Sequence, residues 1–529
     1  MDKRFIIFIG LSVVVMYAWS FFMTKNTKPN QVVVKQESSK PEIEKTEKIV
    51  EKNNLPIKQL PKKNIKVKKA KLKNDYLELE AKSLGAILNH VIVKKYKDYV
   101  YSETIDLVDS QIDQAYTKLK IAINNEEIDL GDLNWEMIEE KSAILFKTEI
   151  APNIIITKQI KLGKEYEGEC VVKVDNLTDQ EVDINYLNMY WGPGQEVNSY
   201  AGGKNSKEVV VLNAGQITKI GPKKKDSIEK IVITKGWGGM RDKYFCAIFF
   251  GEAGVIKSAD LIRKKDKSVA LQINLPGKTV LPQSIQEYKL NFYFGPKDYM
   301  ALKQKGKNLH LMVSFGFFHV IGLGMLYILK FFYKITSNYG ISIILLTLVI
   351  RAILWWPTQK SYTSMKQMQE KTNKMQPRLK TLKEVYKDNP TKLNEETMKL
   401  YKEYKINPVG GCLPMLLQMP VFFALFTTLN SAIELKGASF WLWSDLSTKD
   451  SLYILPIAMG LSMFIQQKIS TPPPATPETA TQQKMMLYLL PGILTFAAFG
   501  WPSGLLLYWV ISNILSIAQQ FFINQKKLK

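Results

Sequence analysis

Apolar positions dominate residues 339–356, YGISIILLTLVIRAILWW, where a single arginine, Arg351, interrupts them. At about 1.5 Å per residue, eighteen helical residues span roughly 27 Å, close to the hydrocarbon thickness of a bilayer. Other apolar stretches recur along the chain. They lie at 5–23, 311–332, 411–432, 451–467, 485–500 and 504–523. The pattern predicts a multi-pass α-helical membrane protein.

A different pattern fills residues 74–310, where short segments alternate apolar and polar positions. Such segments include YLELEA, IIITKQIKLG, ECVVKVDNLT, EKIVITKG and YKLNFYFGP. Alternation with period two is typical of half-buried strands. Turn signals separate them, at Asp175-Asn176, Gly192-Pro193-Gly194, Gly238-Gly239 and Gly295-Pro296. We predict a large all-β sandwich domain outside the membrane.

No catalytic or phosphate-binding motif is found in this β-rich region. It holds no phosphate loop, HExxH helix or nucleophile elbow. His90 and His310 stand alone in the sequence, so each is predicted to be structural. Cys170 and Cys246 can pair if the domain lies outside the cell, but two free buried thiols are the favoured interpretation.

Residues 1–23 begin with Lys3 and Arg4 and continue as an apolar run. Ala18 and Ser20 provide a weak signal-peptidase site, but the run continues through Phe21, which favours an uncleaved N-terminal transmembrane anchor. Residues 24–73 are rich in Lys, Glu, Pro and Asn, and we predict a disordered tether there.

Charge decides the topology of the helices. The net charge is +23, and residues 360–405 carry twelve basic side chains against six acidic ones. A short basic segment of this kind belongs in the cytoplasm. One crossing at 338–356 satisfies that rule, whereas an additional crossing at 311–332 violates it. We therefore predict an interfacial amphipathic helix at 311–334, with His319, Lys330 and Lys334 at water level.

The basic segment 357–408 is predicted to be a cytoplasmic helical hairpin. Apolar residues recur at spacings of three and four along it, and Asn389 is placed to cap a second helix that starts at Pro390. Its methionines either form only the seam of the hairpin or also contact varied apolar partners. Four transmembrane helices follow within 409–523. Six crossings return the basic tail 524–529 to the cytoplasm.

A polar stripe accompanies Arg351. Apart from Glu434 at the end of one stretch, the apolar stretches contain no Asp or Glu, so Arg351 has no carboxylate partner there. Polar side chains within the stretches include Thr347, Gln418, Tyr508, Ser512, Asn513, Ser516, Gln519 and Gln520. The arginine either snorkels to the nearby interface or faces a hydrated cavity. The other polar residues are either ordinary interhelical hydrogen-bonding groups or part of the same hydrated face.

Two segments carry a family resemblance. NPVGGCLPMLLQMPVFFALF at 407–426 and QQKMMLYLLPGILTFAAFGWPSGLLLYWVISN at 482–513 resemble the YidC/Oxa1/Alb3 family of membrane-protein insertases. The arginine-bearing span followed by a basic hairpin agrees with that family in order and spacing. The β-rich region resembles the periplasmic domain of the Gram-negative form by position and texture, without a shared motif.

The resemblance implies a five-helix core enclosing a hydrophilic groove with Arg351 in it. The implied lining residues of the substrate groove are Thr347, Gln418, Tyr508, Ser512 and Asn513. It further implies a periplasmic domain of the sugar-mutarotase type without sugar chemistry, and no enzymatic activity, cofactor or metal. The implied location is the inner membrane, with both termini cytoplasmic.

The implied partners are nascent membrane proteins, the Sec translocon and membrane lipid. Ribosomes or signal-recognition targeting factors are implied to dock on the hairpin and the C-terminal tail. Direct nucleic-acid recognition is not expected, since no nucleic-acid module appears in the sequence. Two other functional classes would leave different signs in the sequence. A transporter should show repeated halves and a paired ion site, and a carbohydrate-modifying enzyme should show acid and base residues in the β domain.

Overall fold

The structure, a computed structural model, describes residues 66–98, 103–108, 116–192, 208–220, 228–263, 269–387, 389–404, 413–471 and 483–525. The predicted anchor at 1–23 and most of the predicted tether lie outside the described residues, as do Pro193-Gly194 and the last four residues. Two compact units are distinguished, and the smaller one includes Gln367–Pro408.

Residues 69–298 of the larger unit are rich in strands. The strands are β1 Lys69–Lys73, β2 Leu77–Lys82, β3 Ile87–Asp98, β4 Glu103–Asp106, β5 Leu119–Ile123, β6 Glu126–Asp129, β7 Glu136–Glu139, β8 Ala143–Ala151, β9 Ile154–Leu162, β10 Glu167–Asn176, β11 Val182–Trp191, β12 Glu208–Asn213, β13 Gln216–Ile220, β14 Ile228–Val232, β15 Gly236–Arg241, β16 Phe245–Phe250, β17 Ser258–Arg263, β18 Val269–Val280 and β19 Ser284–Pro296. The predicted large β-sandwich domain is therefore confirmed.

Antiparallel pairing joins these strands into three sheets. One sheet has the order β13-β12-β15-β16-β19-β10-β9-β8-β7, the second β14-β17-β18-β11-β5-β6, and the third β1-β2-β3-β4. A shared apolar core includes a stack of aromatic rings, in which the Phe294 centroid lies 4.3 Å from both Trp191 and Phe292. Burial of such rings is the main driving force for packing the sheets together.

Strand β1 corrects the predicted end of the tether at residue 73. Its sequence KAKLK alternates, so Ala70 and Leu72 are buried while the lysines point outward. Lys71 forms an ion pair with Glu78 across the β1–β2 ladder, at 2.9 Å. A lysine-rich composition suggested disorder, but the period of two decided the structure.

The predicted turn at Gly238-Gly239 is wrong, because both residues lie inside β15. A Cβ atom on Gly239 would stand 2.7 Å from the Ala247 carbonyl oxygen and 2.7 Å from the Met312 methyl group. These glycines therefore allow close approach of a neighbouring strand and side chain, which is the other reason for glycine in a strand. Gly295 lies in β19 for a similar reason, against the ring of Tyr166.

The basic and thiol groups buried in the β domain include Lys158, Cys170 and Cys246. Lys158 has no exposed surface, and its Nζ donates hydrogen bonds to Ala86 O at 2.6 Å, Thr117 O at 2.6 Å and Thr117 Oγ1 at 3.0 Å. Burial lowers the pKa of Lys158 to about 8. Cys170 and Cys246 are buried and free, as the favoured interpretation had it.

Helices dominate the chain after β19. They are α1 Tyr299–Gln304, α2 His319–Thr336, α3 Tyr339–Ile353, α4 Trp355–Val385, α5 Pro390–Glu403, α6 Leu413–Ser431, α7 Ile454–Ser470, α8 Leu490–Ala498 and α9 Ser503–Gln525. A π-helical segment, Met485–Leu489, precedes α8. By length and composition, Ser503–Ile523 is the one described helix able to span a membrane, and α3 with α4, bent by 64°, makes a second if taken together. The count of six crossings stays a prediction.

Helix α2 is shorter than the helix predicted at 311–334. Leu309–Met312 is a short 3₁₀ helix and the α-helix begins at His319. Lys334 is exposed, and its place at water level stays a prediction. Lys330 instead contacts two carboxylates, Asp298 at 3.1 Å and Glu434 at 2.9 Å. Since Asp298 follows β19 and Glu434 follows α6, this cluster joins the β domain to the helices.

The smaller unit contains α5 and the part of α4 from Gln367 onwards, which form the hairpin. Asn389 caps α5 by accepting a hydrogen bond from the Lys392 backbone at 3.1 Å, and Pro390 is its first residue, as the sequence predicts. Met375, Leu379 and Leu400 form the buried seam. Met365, predicted to lie in this seam, instead packs with Tyr362 and Ile523 in the larger unit.

Candidate functional site

Helices α3 and α9 pack against each other through apolar residues. Ile343, Leu346 and Ile350 lie on one face of α3 and share a buried cluster with Leu505 and Tyr508 of α9. The spacing of three and four residues along α3 produces that face. The next residue after Ile350 is Arg351, so its side chain leaves the helix at the edge of this packed face.

Arg351 is half-buried and bonded to a single residue. Its Nε donates to Ser512 Oγ at 3.1 Å, and its Nη2 donates to the Ser512 carbonyl oxygen at 2.8 Å and to Ser512 Oγ. Ser512 is 2% exposed. No Asp or Glu among the described residues forms an ion pair with Arg351, which agrees with the carboxylate-free stretches. The family resemblance implied that both residues line the groove, but it did not pair them.

Gln418 and Tyr508 form a second pair near by. Gln418 Nε2 donates to the Tyr508 hydroxyl at 3.1 Å, which joins α6 to α9. Tyr508 lies one helical turn before Ser512. Gln418 and Arg351 therefore bind neighbouring residues on the same face of α9. Four of the six predicted groove residues are thus arranged in two bonded pairs along α9.

The other two predicted residues are placed differently. Thr347 has no exposed surface, and its hydroxyl donates to the Ile343 carbonyl of its own helix at 2.7 Å. Asn513 is buried and donates to Ser462 Oγ on α7 at 3.0 Å. The structure therefore shows both as helix-packing polar groups and gives neither a contact with Arg351.

The polar stripe of α9 continues beyond Ser512 to a pair that the sequence pattern does not reveal. Gln519 Nε2 donates to Thr358 Oγ1 at 3.2 Å and to the Trp355 carbonyl at 3.3 Å. Gln519 had been assigned to the stripe, but its partner on α4 had not. The signal available in the sequence was Thr358 itself, a polar residue that lies one helical turn after Leu354 at the start of α4.

The β domain presents no comparable site among its described residues. His90 Nδ1 lies 2.5 Å from Asp106 Oδ2, and the His310 ring packs edge-on to Tyr299 at 5.4 Å between centroids. No group of three His, Cys, Asp or Glu side chains within the described ranges is arranged to hold a metal ion.

Two family models match successive parts of the chain. One, described as 60Kd inner membrane protein, matches residues 331–529, and the other, described as YidC periplasmic domain, matches residues 69–328. The first covers the helices that hold Arg351 and Ser512, and the second covers the β-rich region.

Relatives extend over nearly the whole chain. A protein of Geobacter metallireducens named membrane protein insertase YidC is 35% identical over 460 residues, covering 83% of this chain and 82% of its own. A protein of the same name from Geotalea daltonii is 33% identical over 549 residues and covers 99% of both chains.

Among solved structures, an active YidC insertase with its first transmembrane domain resolved has a TM-score of 0.37 and 15% identity, covering 87% of this chain and 93% of that one. A galactose mutarotase related enzyme of Lactobacillus acidophilus has a TM-score of 0.34 and 10% identity, covering 43% of this chain and 97% of that one. The assignment rests on the relatives and the family models: the chain belongs to the YidC family.

Proposed function

We propose that this chain is a membrane protein insertase and chaperone, which inserts integral proteins of the inner membrane and helps them to fold. It works alone or together with the Sec translocon, without covalent chemistry. The observation that supports this proposal is the placement of Arg351: a half-buried cation that no carboxylate of the described residues pairs with, on an apolar helix of a YidC family member.

In the proposed mechanism, a substrate's hydrophilic tail enters the membrane beside Arg351. The groove consists of Arg351 and Ser512, Gln418 and Tyr508, with Thr347 and Asn513 supporting the helices around it. At an effective dielectric constant near 20, two unit charges about 4 Å apart attract by roughly 4 kcal/mol before desolvation. Apolar substrate residues then leave into lipid, driven by burial of their own apolar surface.

The hairpin 357–408 and the C-terminal tail are the proposed docking sites for nascent chains, ribosomes or signal-recognition targeting factors. Lysines such as Lys371, Lys380 and Lys399 are exposed around the buried seam, so the basic faces remain available. Deleting residues 364–401 should leave a folded membrane protein that inserts poorly. Loss of the protein from the membrane would instead point to a structural role.

The proposed topology puts residues 24–310 in the periplasm, α2 in the outer interface and the hairpin in the cytoplasm. Lys334 and Val385 are both exposed, so cysteines introduced at these positions should react freely. In intact cells, Lys334→Cys should be labelled by an impermeant reagent from outside, and Val385→Cys should not. Labelling of position 385 from outside would overturn the topology.

Reconstitution tests the function itself. Proteoliposomes containing this protein alone receive single-span substrates whose translocated tails differ only in carrying Asp or Asn. Arg351→Ala should reduce insertion of the Asp-tailed substrate about tenfold, or about 1.4 kcal/mol, and spare the Asn-tailed one. Arg351→Lys should retain much of the activity. Equal loss for both tails would show that Arg351 holds the helices and does not act on substrate charge.

A further inference from the structure

Arg351 is held from one side only. A guanidinium carries five N–H groups in a fixed plane, and in this structure the bonds from Nε and Nη2 all go to Ser512. No hydrogen bond from Nη1 is present among the described residues. Three of the five N–H groups are therefore used within the protein, and the two on Nη1 make no hydrogen bond to the described residues.

Ser512 is itself immobilised. Its side chain and backbone are 2% exposed in the packed face of α9, and its carbonyl oxygen also accepts a hydrogen bond from Ser516 Oγ at 2.9 Å. Both acceptors for Arg351 thus sit on one residue of a regular helix. The guanidinium plane is consequently set by α9, although α3 carries the arginine.

We infer that Ser512 is a positioning residue that fixes the plane of Arg351 and leaves Nη1 free for a carboxylate of an inserting chain. The inference deepens the proposed function and rests on it. One carboxylate oxygen bonds Nη1, and the second reaches Nη2 by displacing the Ser512 carbonyl. A neutral amide side chain has a single acceptor oxygen and cannot make this two-point contact.

In this arrangement, the preference for acidic tails depends on the orientation of the Arg351 guanidinium as well as on its charge. An arginine without the Ser512 hydroxyl keeps its charge, but only the carbonyl then holds its plane. Bidentate geometry depends on that plane, whereas simple attraction does not. The discrimination between acidic and neutral tails should therefore fall when Ser512 loses its hydroxyl, while insertion of neutral tails should not.

The test measures the ratio of Asp-tailed to Asn-tailed substrate inserted into proteoliposomes. Ser512→Ala should lower this ratio about threefold and leave Asn-tailed insertion within twofold of the unmodified protein. Ser512→Thr, which keeps a hydroxyl, should restore the ratio. Ser342→Ala is the matched control, because that buried hydroxyl donates to the Asn338 carbonyl at 2.7 Å and does not contact Arg351.

Testing Ser512→Ala in a protein that also carries Arg351→Lys separates an effect on the orientation of Arg351 from an effect on helix packing. A lysine has no plane to orient, so adding Ser512→Ala to Arg351→Lys should change the ratio no further. An unchanged ratio in Ser512→Ala alone, equal loss for both tails, or an additive effect in the lysine background would each overturn the inference. If Arg351→Ala lowers the ratio while Ser512→Ala does not, only the inference fails. If Arg351→Ala also leaves it unchanged, the proposed role of Arg351 fails with it.

Discussion

Lys158 in the β domain and Arg351 among the helices are two cations without an ion-pair partner in the described residues, and they are held very differently. The ammonium group of Lys158 has three donors, and three oxygen atoms within 3.0 Å accept from them. The guanidinium of Arg351 has five donors and contacts the two oxygens of one serine. Lys158 is fully enclosed, whereas Arg351 keeps part of its surface accessible.

The difference separates a cation whose hydrogen bonds hold the fold together from one for which we propose a role in function. A buried cation whose donors are all matched fixes the segments that supply the acceptors, here the residues before β3 and before β5. A cation with unmatched donors retains the capacity to bind something else. The completeness of hydrogen bonding, more than burial or charge alone, therefore distinguishes the two roles.

The largest expected effect follows from removing Lys158. Lys158→Ala leaves a cavity and three buried acceptors without their donor, which should lower the free energy of unfolding of the β domain by about 3 kcal/mol. Thermal unfolding of the full-length protein, followed by the β-sheet circular dichroism signal, measures it. Lys173→Ala, which removes an exposed ion pair with Glu287 in the same sheet, should cost less than about 0.5 kcal/mol. Equal losses in the two variants would contradict the comparison.

The cluster at Lys330 should give the next largest effect. It holds a cation in a third way, by pairing it with carboxylates. Lys330→Met leaves Glu434, whose side chain is 6% exposed, without a cation, and should destabilise the protein by about 2 kcal/mol. Adding Glu434→Gln should recover most of that loss. Lys334→Met on the exposed side of the same helix is the control, and a similar loss there would mean that charge pairing is irrelevant.

A pH titration sharpens the view of Lys158. Its pKa is about 8 in the folded protein, against about 10.4 when unfolded. Between these values the unfolded state binds more protons, so stability should rise with pH, by about 1 kcal/mol between pH 7.5 and pH 9. This rise should be absent in Lys158→Met. A decline in stability of the β domain across that range in the unmodified protein, relative to Lys158→Met, would contradict the assignment.

The smallest expected effect on stability is that of Arg351→Met, at less than about 1 kcal/mol. The Ser512 carbonyl keeps its bond from Ser516 Oγ, and a methionine packs where the arginine stem lay. Thermal inactivation of the protein in lipid nanodiscs measures this. A loss as large as that of Lys158→Ala would place Arg351 in the structural class.

Local signals in the sequence were sufficient for much of the fold. Asn389 before Pro390 predicts a capped helix, since both the side-chain acceptor and the fixed backbone angle act within one turn. The prediction of a turn at Gly238-Gly239 was wrong because glycine serves two needs, tight turns and close packing. Sequence does not state which one applies until the neighbouring strands are known.

The candidate site shows the same limit at longer range. Spacing along α9 puts Tyr508 and Ser512 on one face, but it does not say that Asn513 turns towards Ser462 on α7. The pairing of Arg351 with Ser512 depends on how α3 and α9 approach each other, across 161 residues of sequence. Helix packing decides such pairs, and a one-dimensional pattern does not contain it.

Asp298 makes contacts both with its sequence neighbours and with a residue much further along the chain. Its Oδ1 accepts from the backbone amides of Met300 and Ala301, which start helix α1, and both its carboxylate oxygens lie 3.1 Å from the ammonium of Lys330. The local bonds are available as soon as residues 298–301 are synthesised. These bonds hold the carboxylate in the orientation in which it meets Lys330, so one side chain couples the start of α1 to the position of α2 at the end of the β domain.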